Sequence, residues 1–387
     1  MIRWMNSLFN AGFRAPLLVI ALGGIAAVLM RIAGVSVISA DGFALAGQLG
    51  LGLIAFSAGT QFRVSRLAKD CPVSFRLGFG GAPLFLIISG LAAFILIPQV
   101  ALAPAFLLGG ILMLNGSTFD RRAITNAPAP SLIKAGVRLE SAVILSLGLP
   151  VVMLLEANAT AAAPGNGMLF PLLDASRSAV IAFGFGGSLG LLAAIAGNRW
   201  FMNYGVGLSV IMVIVAMVLS PVLGAHPVVA ASALGLIWGE QSRAGFVSRL
   251  RLRARLDRTV LPIGFFLFGL ALSPRLLEAD LLGLTFALAA VTVMRAGPRL
   301  VALQRSVLPR EGQMFMAWFG GTPGLASALY LLTLMSNGHL DDHELVLSLG
   351  TLCVLAGVIT ARVTSQPLVR HYVRALGLAR RRQMFGA

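Results

Sequence analysis

The stretch LLGGILMLNGSTFDRRAITN, residues 107–126, decides how this chain is read. An apolar run from Ala101 to Leu114 has the character of a membrane helix, yet it stops at Asn115, Gly116, Ser117 and Thr118. About fourteen residues at roughly 1.5 Å each reach about 21 Å, short of a hydrocarbon core about 30 Å thick. A break at that depth leaves backbone N–H and C=O groups where lipid cannot satisfy them. Protein must shelter it, or it must line a wet cavity.

The rest of the chain supplies the membrane. Of its 387 residues, 58% are hydrophobic and 11% charged, with a mean hydropathy of +0.90, too apolar for a soluble domain of this length. The fold class is an all-α polytopic membrane protein of about twelve transmembrane helices. Their expected limits are 15–32, 43–60, 78–98, 101–120, 139–156, 178–198, 203–223, 226–239, 259–274, 280–296, 313–335 and 344–366. The first run, Pro16 to Met30, leads into further spans without an obvious small-residue cleavage site, so it reads as a retained helix and not a signal peptide. Cys71 and Cys353 offer no disulfide framework.

Charge sets the orientation. The net charge of +16 would suit nucleic acid, but the arginines sit in loops between apolar runs, as topology signals do. With the N-terminus inside, the inner segments hold Arg63, Arg66, Lys69, Arg76, Lys134, Arg138, Arg243, Arg249, Arg251 to Arg258 and Arg370 to Arg382. The outer ones keep little beyond Arg31, Arg177 and Arg275, and carry Glu156, Asp174, Glu278, Asp280, Asp341, Asp342 and Glu344. This predicts a bacterial inner-membrane protein with both termini cytoplasmic and no nucleic-acid partner.

A second break lies in MFMAWFGGTPGLASALYLL, where Gly320, Gly321, Thr322, Pro323 and Gly324 interrupt the eleventh span. Proline removes a donor and the glycines weaken the helix. Spans four and eleven are an odd number apart, so they cross in opposite directions, as the discontinuous helices of inverted repeats do. ILSLG from Ile144 echoes VLSLG from Val346, in the spans that follow each break. The organisation expected is a first repeat over 1–156, linking spans over 157–225, a second repeat over 226–366 and a basic cytoplasmic tail over 367–387.

These segments resemble the monovalent cation:proton antiporters of bacteria and organelles. LGLIAFSAGTQFRVSRLAK from Leu51, ALGLIWGEQSR from Ala233 and FFLFGLALS from Phe265 are similar to family segments, and REGQMFMAWFGGTPGLASALYL from Arg310 is the closest match. The resemblance implies two crossed broken helices, a separate dimerisation domain making a homodimer, and exchange of sodium or potassium against protons by alternating access. It implies no cofactor and no enzyme. It also implies a transport path through Asn115, Gly116, Ser117, Thr118, Asp120, Glu140, Ser141, Gly320, Gly321, Thr322 and Pro323, and a structural ion pair of Glu140 with Arg295 or Arg299.

The departures bear on mechanism. Where the family's fourth span carries Thr-Asp, this chain has Asn115-Gly116, and where its fifth carries Asn-Asp after Glu-Ser, Ile144-Leu145 follow Glu140-Ser141. Neutral oxygens from Asn115, Ser117, Thr118, Ser141 and Thr322 could hold a cation weakly, but they do not titrate near neutral pH. The alternative is therefore a degenerate homologue that moves another solute or serves as a regulatory membrane protein. Asp120, beside Arg121 and Arg122, reads as a surface acid, and Ser57 as a serine bonded back to its own helix. HLDDHE from His339 has metal-ligand types but reads as an acidic turn and cap, and GFGGSLG from Gly184 as close helix packing. SRLRLRARLDR from Ser248 could meet anionic lipid. No nucleophile elbow, P-loop or HExxH occurs.

Overall fold

The computed structural model describes the chain apart from residues 1–15, 35–37, 116–122, 162–168, 200–204, 279, 339, 341 and 385–387. It is a polytopic helical bundle. Helices α1 (Pro16–Ile32) and α2 (Ala40–Gly59) precede α3 (Pro72–Leu96) and the short α4 (Leu102–Met113). Then come α5 (Ser131–Ala161), α6 (Leu169–Arg199), α7 (Gly205–Leu219), α8 (Pro227–Gln241) and α9 (Phe246–Leu272). The last crossings are α10 (Leu281–Leu303), the two halves α11 (Arg310–Trp318) and α12 (Leu325–Leu334), and α13 (His343–Met384).

Local chemistry sets these ends. Ser39 accepts the Gly42 N–H at 3.2 Å to start α2, and Asp280 accepts the Gly283 N–H at 2.7 Å to start α10. Pro227 opens α8 where its missing donor costs nothing. Several helices outrun the spans expected of them. α5 begins at Ser131, α9 takes in the basic run from Ser248, and α13 continues through the tail to Met384. Arginine is a good helix former, so a helix need not end where the apolar run does.

Close helix contacts rest on glycine. A Cβ at Gly186 or Gly190 of α6 would lie 2.1 or 2.6 Å from carbonyls of Ala230 and Leu234 in α8, which accounts for the glycine run from Gly184 as packing. Gly269 of α9 meets Ile20 of α1 in the same way. Large apolar side chains such as Leu29, Val180, Ile211 and Val363 remain exposed on outer helix surfaces, as suits contact with acyl chains. The largest buried cluster includes α4, α5 and α12 and surrounds the two breaks.

Candidate functional site

The breaks meet. Asn115, two residues past the end of α4, forms an isolated antiparallel bridge with Pro323, between α11 and α12. Both segments leave helical geometry for this. Leu114 has ψ near 88°, and Gly320 and Gly321 have φ of 77° and 73°, a left-handed conformation that glycine adopts without a Cβ penalty. Gly357 of α13 admits Pro323, since a Cβ there would stand 2.5 Å from the proline carbonyl oxygen.

Interrupting a helix frees its last carbonyls. At the end of α4 they find a neutral partner: Ser327 Oγ, in the first turn of α12, lies 2.8 Å from Ile111 O and 2.7 Å from Leu114 O. The partially negative end of α4 thus abuts the partially positive start of α12. At the end of α11 the partners are charged. Arg299 donates to the carbonyls of Met316, Ala317 and Phe319 at 2.6 to 3.1 Å, and Arg295 to those of Trp318 and Gly320 at 2.8 and 2.6 Å. The two arginines stand one turn apart on α10, so one helix face delivers both.

Glu140 of α5 completes the cluster. Its Oε1 receives Arg299 Nη1 and its Oε2 receives Nη2 at 3.0 Å, a bidentate pair in which both residues are 4% exposed or less. The expected alternatives therefore part: Arg299 pairs with Glu140, and Arg295 serves the α11 carbonyls. Asn115 Nδ2 lies 3.4 Å from Glu140 Oε1, joining the first break to the pair. A void of about 20 Å³, bordered by Asn115, Glu140, Ile144, Arg295, Arg299 and Gly321, has room for about one water.

Two oxygens at the crossing stand apart. Asn115 Oδ1 and Thr322 Oγ1 are buried, in residues each 2% exposed, and have no hydrogen-bond partner among the described residues. Such orphans are costly, and in native proteins they accept a water or an ion or take part in function. Ser141 is buried on α5, its hydroxyl 3.4 Å from Arg138 O. Ile144 and Leu145 lie in the apolar core, so the fifth span brings no second carboxylate there. Gly116, Ser117, Thr118 and Asp120 lie outside the described residues.

Away from the crossing, Ser57 Oγ bonds Ile54 O at 2.9 Å within its own helix. Around the acidic turn, Asp342 accepts the Ala101 N–H at 2.8 Å and Glu344 is held by Arg275, so both are already engaged; His339 and Asp341 lie outside the described residues. Sequence reasoning missed Ser327, which carries no local signal: it stands in the first turn after the Gly324 N-cap and its hydroxyl serves carbonyls of a helix more than 200 residues away in sequence. It also missed Glu156, treated as an outer-loop charge. Glu156 lies on α5 and accepts the Tyr330 hydroxyl and, at 3.0 Å, the Asn337 amide, linking α5 to α12 and the turn after it.

Comparison with known proteins agrees with this architecture. The structure is similar to that of the sodium proton antiporter MjNhaP1 from Methanocaldococcus jannaschii at pH 8, with a TM-score of 0.70, 17% identity, and 94% of this chain and 99% of that one covered. An electron-microscopy map of MjNhaP1 gives a TM-score of 0.59 at 18% identity, covering 93% and 89%. No curated protein matches the sequence. The transmembrane sodium/hydrogen exchanger family matches residues 11–371, nearly the whole length. The chain therefore belongs to the sodium/hydrogen exchanger family, whose members are transporters and not enzymes.

Proposed function

We propose that this protein exchanges a monovalent cation, sodium or potassium, for protons by alternating access about the crossing of its broken helices. The observation that carries this is the pair of buried oxygens, Asn115 Oδ1 and Thr322 Oγ1, that have no partner among the described residues and lie on adjoining antiparallel segments. Hard cations take oxygen ligands of this neutral kind, and freed carbonyls complete such shells in transporters. Arginine asymmetry supports an inner-membrane setting with both termini cytoplasmic. Likeness to the family supports a homodimer in a lipid bilayer.

Exchange also needs a group whose protonation changes during the cycle. Glu140 is held by a guanidinium, whereas Glu156 is held by the neutral groups of Tyr330 and Asn337. We assign the proton to Glu156. Its ionised form accepts both bonds; a proton on it removes acceptor capacity and loosens α5 from α12 at the end away from the arginine-rich face. Proton binding there would favour opening on that side.

The test is purified protein in vesicles carrying a pH reporter, to which sodium or potassium is added. Cation-dependent alkalinisation or acidification is expected with wild type, and loss of it with Glu156→Gln in protein that still folds. A silent wild type would favour the second reading, transport of another solute or a regulatory role, for which the apolar Ile144 and Leu145 speak. In that event Ile144→Asn with Leu145→Asp should create cation-dependent proton flux if only the carboxylate is missing.

A further inference from the structure

A second cavity, of about 310 Å³, lies among the end of α2, the loop after it, the early part of α5 and the start of α9. It is on the arginine-rich face. Its charged lining is lopsided, with Arg63, Arg66, Arg138 and Arg249 set against Asp70. Topology explains arginines in solvated loops, but it does not explain drawing one into the protein. Arg249 is 7% exposed. Its guanidinium donates to the carbonyls of Thr60, Gly239, Ser242 and Ala244 at 2.7 to 3.3 Å, and lies 5.7 Å from the centre of the Trp238 ring. Those bonds go to neutral groups, and with the nearby carboxylate of Glu240 counted beside Asp70 the four guanidinium groups still leave the cavity positive.

Gln61 narrows the ligand. Its Nε2 faces three acceptors, Ser57 O, Thr60 Oγ1 and Arg249 O, at 3.2 to 3.3 Å, which fixes which end of the amide is oxygen. That oxygen, in a residue 6% exposed on the cavity wall, is buried and has no partner among the described residues. An orphan acceptor inside a basic cavity calls for a ligand that is negative yet brings a hydrogen of its own. Chloride and sulfate bring none.

We propose that this cavity binds an oxyanion that carries a hydroxyl, either inorganic phosphate, which keeps one proton at neutral pH, or a small phosphomonoester bearing an alcohol group, with its charged oxygens toward Arg138 and the Arg63 and Arg66 loop and its P–OH or alcohol O–H toward Gln61. The volume suits a small ligand. A bound anion bridges α5, which carries Glu140, to the α2 and α9 side, and it offsets a field that opposes cation approach from this face. Binding is independent of whether the cargo is a cation, since it is read without transport.

The experiment is thermal unfolding of the full chain in detergent at neutral pH and constant ionic strength, titrated with inorganic phosphate, glycerol phosphate or sulfate. Phosphate, glycerol phosphate or both should raise the midpoint at concentrations roughly tenfold below any effect of sulfate, the factor expected for one unpaired buried acceptor. Which of the two acts identifies free phosphate or a phosphorylated metabolite as the source. Arg138→Gln should abolish the shift, and Gln61→Met should reduce the preference over sulfate. If Arg138→Gln does not fold, the exposed Arg66→Gln weakens binding in its place. No shift with either phosphate compound, equal shifts with sulfate, or undiminished shifts in the arginine variants would overturn the proposal.

Discussion

The two broken helices solve the same problem with different chemistry. Where α4 stops, one serine hydroxyl and the facing start of α12 answer the freed carbonyls. Where α11 stops, two guanidinium groups do so, and a buried carboxylate on α5 balances one of them. A neutral cap leaves little behind if lost, whereas a charged cap ties three elements together and exposes a buried charge when cut. The α11 end is therefore the rigid half of the crossing. The α4 end, where an oxygen of Asn115 has no partner among the described residues, is the half suited to a ligand.

The largest effect expected is from Arg299→Met, which takes the donors from the Met316, Ala317 and Phe319 carbonyls and leaves Glu140 buried without its partner. A loss of about 3–5 kcal/mol should appear as a much lower unfolding midpoint in detergent. Adding Glu140→Gln should recover part of it, because the uncompensated charge is then gone; no recovery would mean the carbonyl bonds dominate. Gly321→Ala should cost roughly 1–3 kcal/mol, since a Cβ there combines left-handed strain with a 2.2 Å approach to Arg299 Nη1. Ser327→Ala should cost the least, about 1–2 kcal/mol, with the helices still crossing. If Ser327→Ala proved as damaging as Arg299→Met, the contrast between the two ends would be wrong.

The breaks were legible in the sequence because their signals are local. Asn-Gly-Ser-Thr ends an apolar run too early to span, and Gly-Gly-Thr-Pro-Gly cannot continue a helix. Their opposite directions followed from counting spans between them, and their crossing from the family resemblance. The choice of Arg299 over Arg295 as partner of Glu140 was not legible, since it depends on how α10 faces α11 across a sequence gap. Glu156 was missed for another reason: helix α5 extends to Ala161, so a residue placed by charge at a span's outer edge is part of the helix and reaches Tyr330. Helix ends set by arginine-rich turns have no hydropathy signature, which is why α9 and α13 outran their expected limits.

The most direct test of a ligand site made by the two unwound segments is cation-driven proton flux in vesicles containing Asn115→Ala combined with Thr322→Val, compared with wild type at equal protein. Loss of at least tenfold in flux from protein that still unfolds cooperatively is the result expected, the relief of two orphan oxygens being set against loss of the Asn115–Glu140 contact. Flux equal to that of wild type would place the cation elsewhere and leave the crossing a purely structural joint.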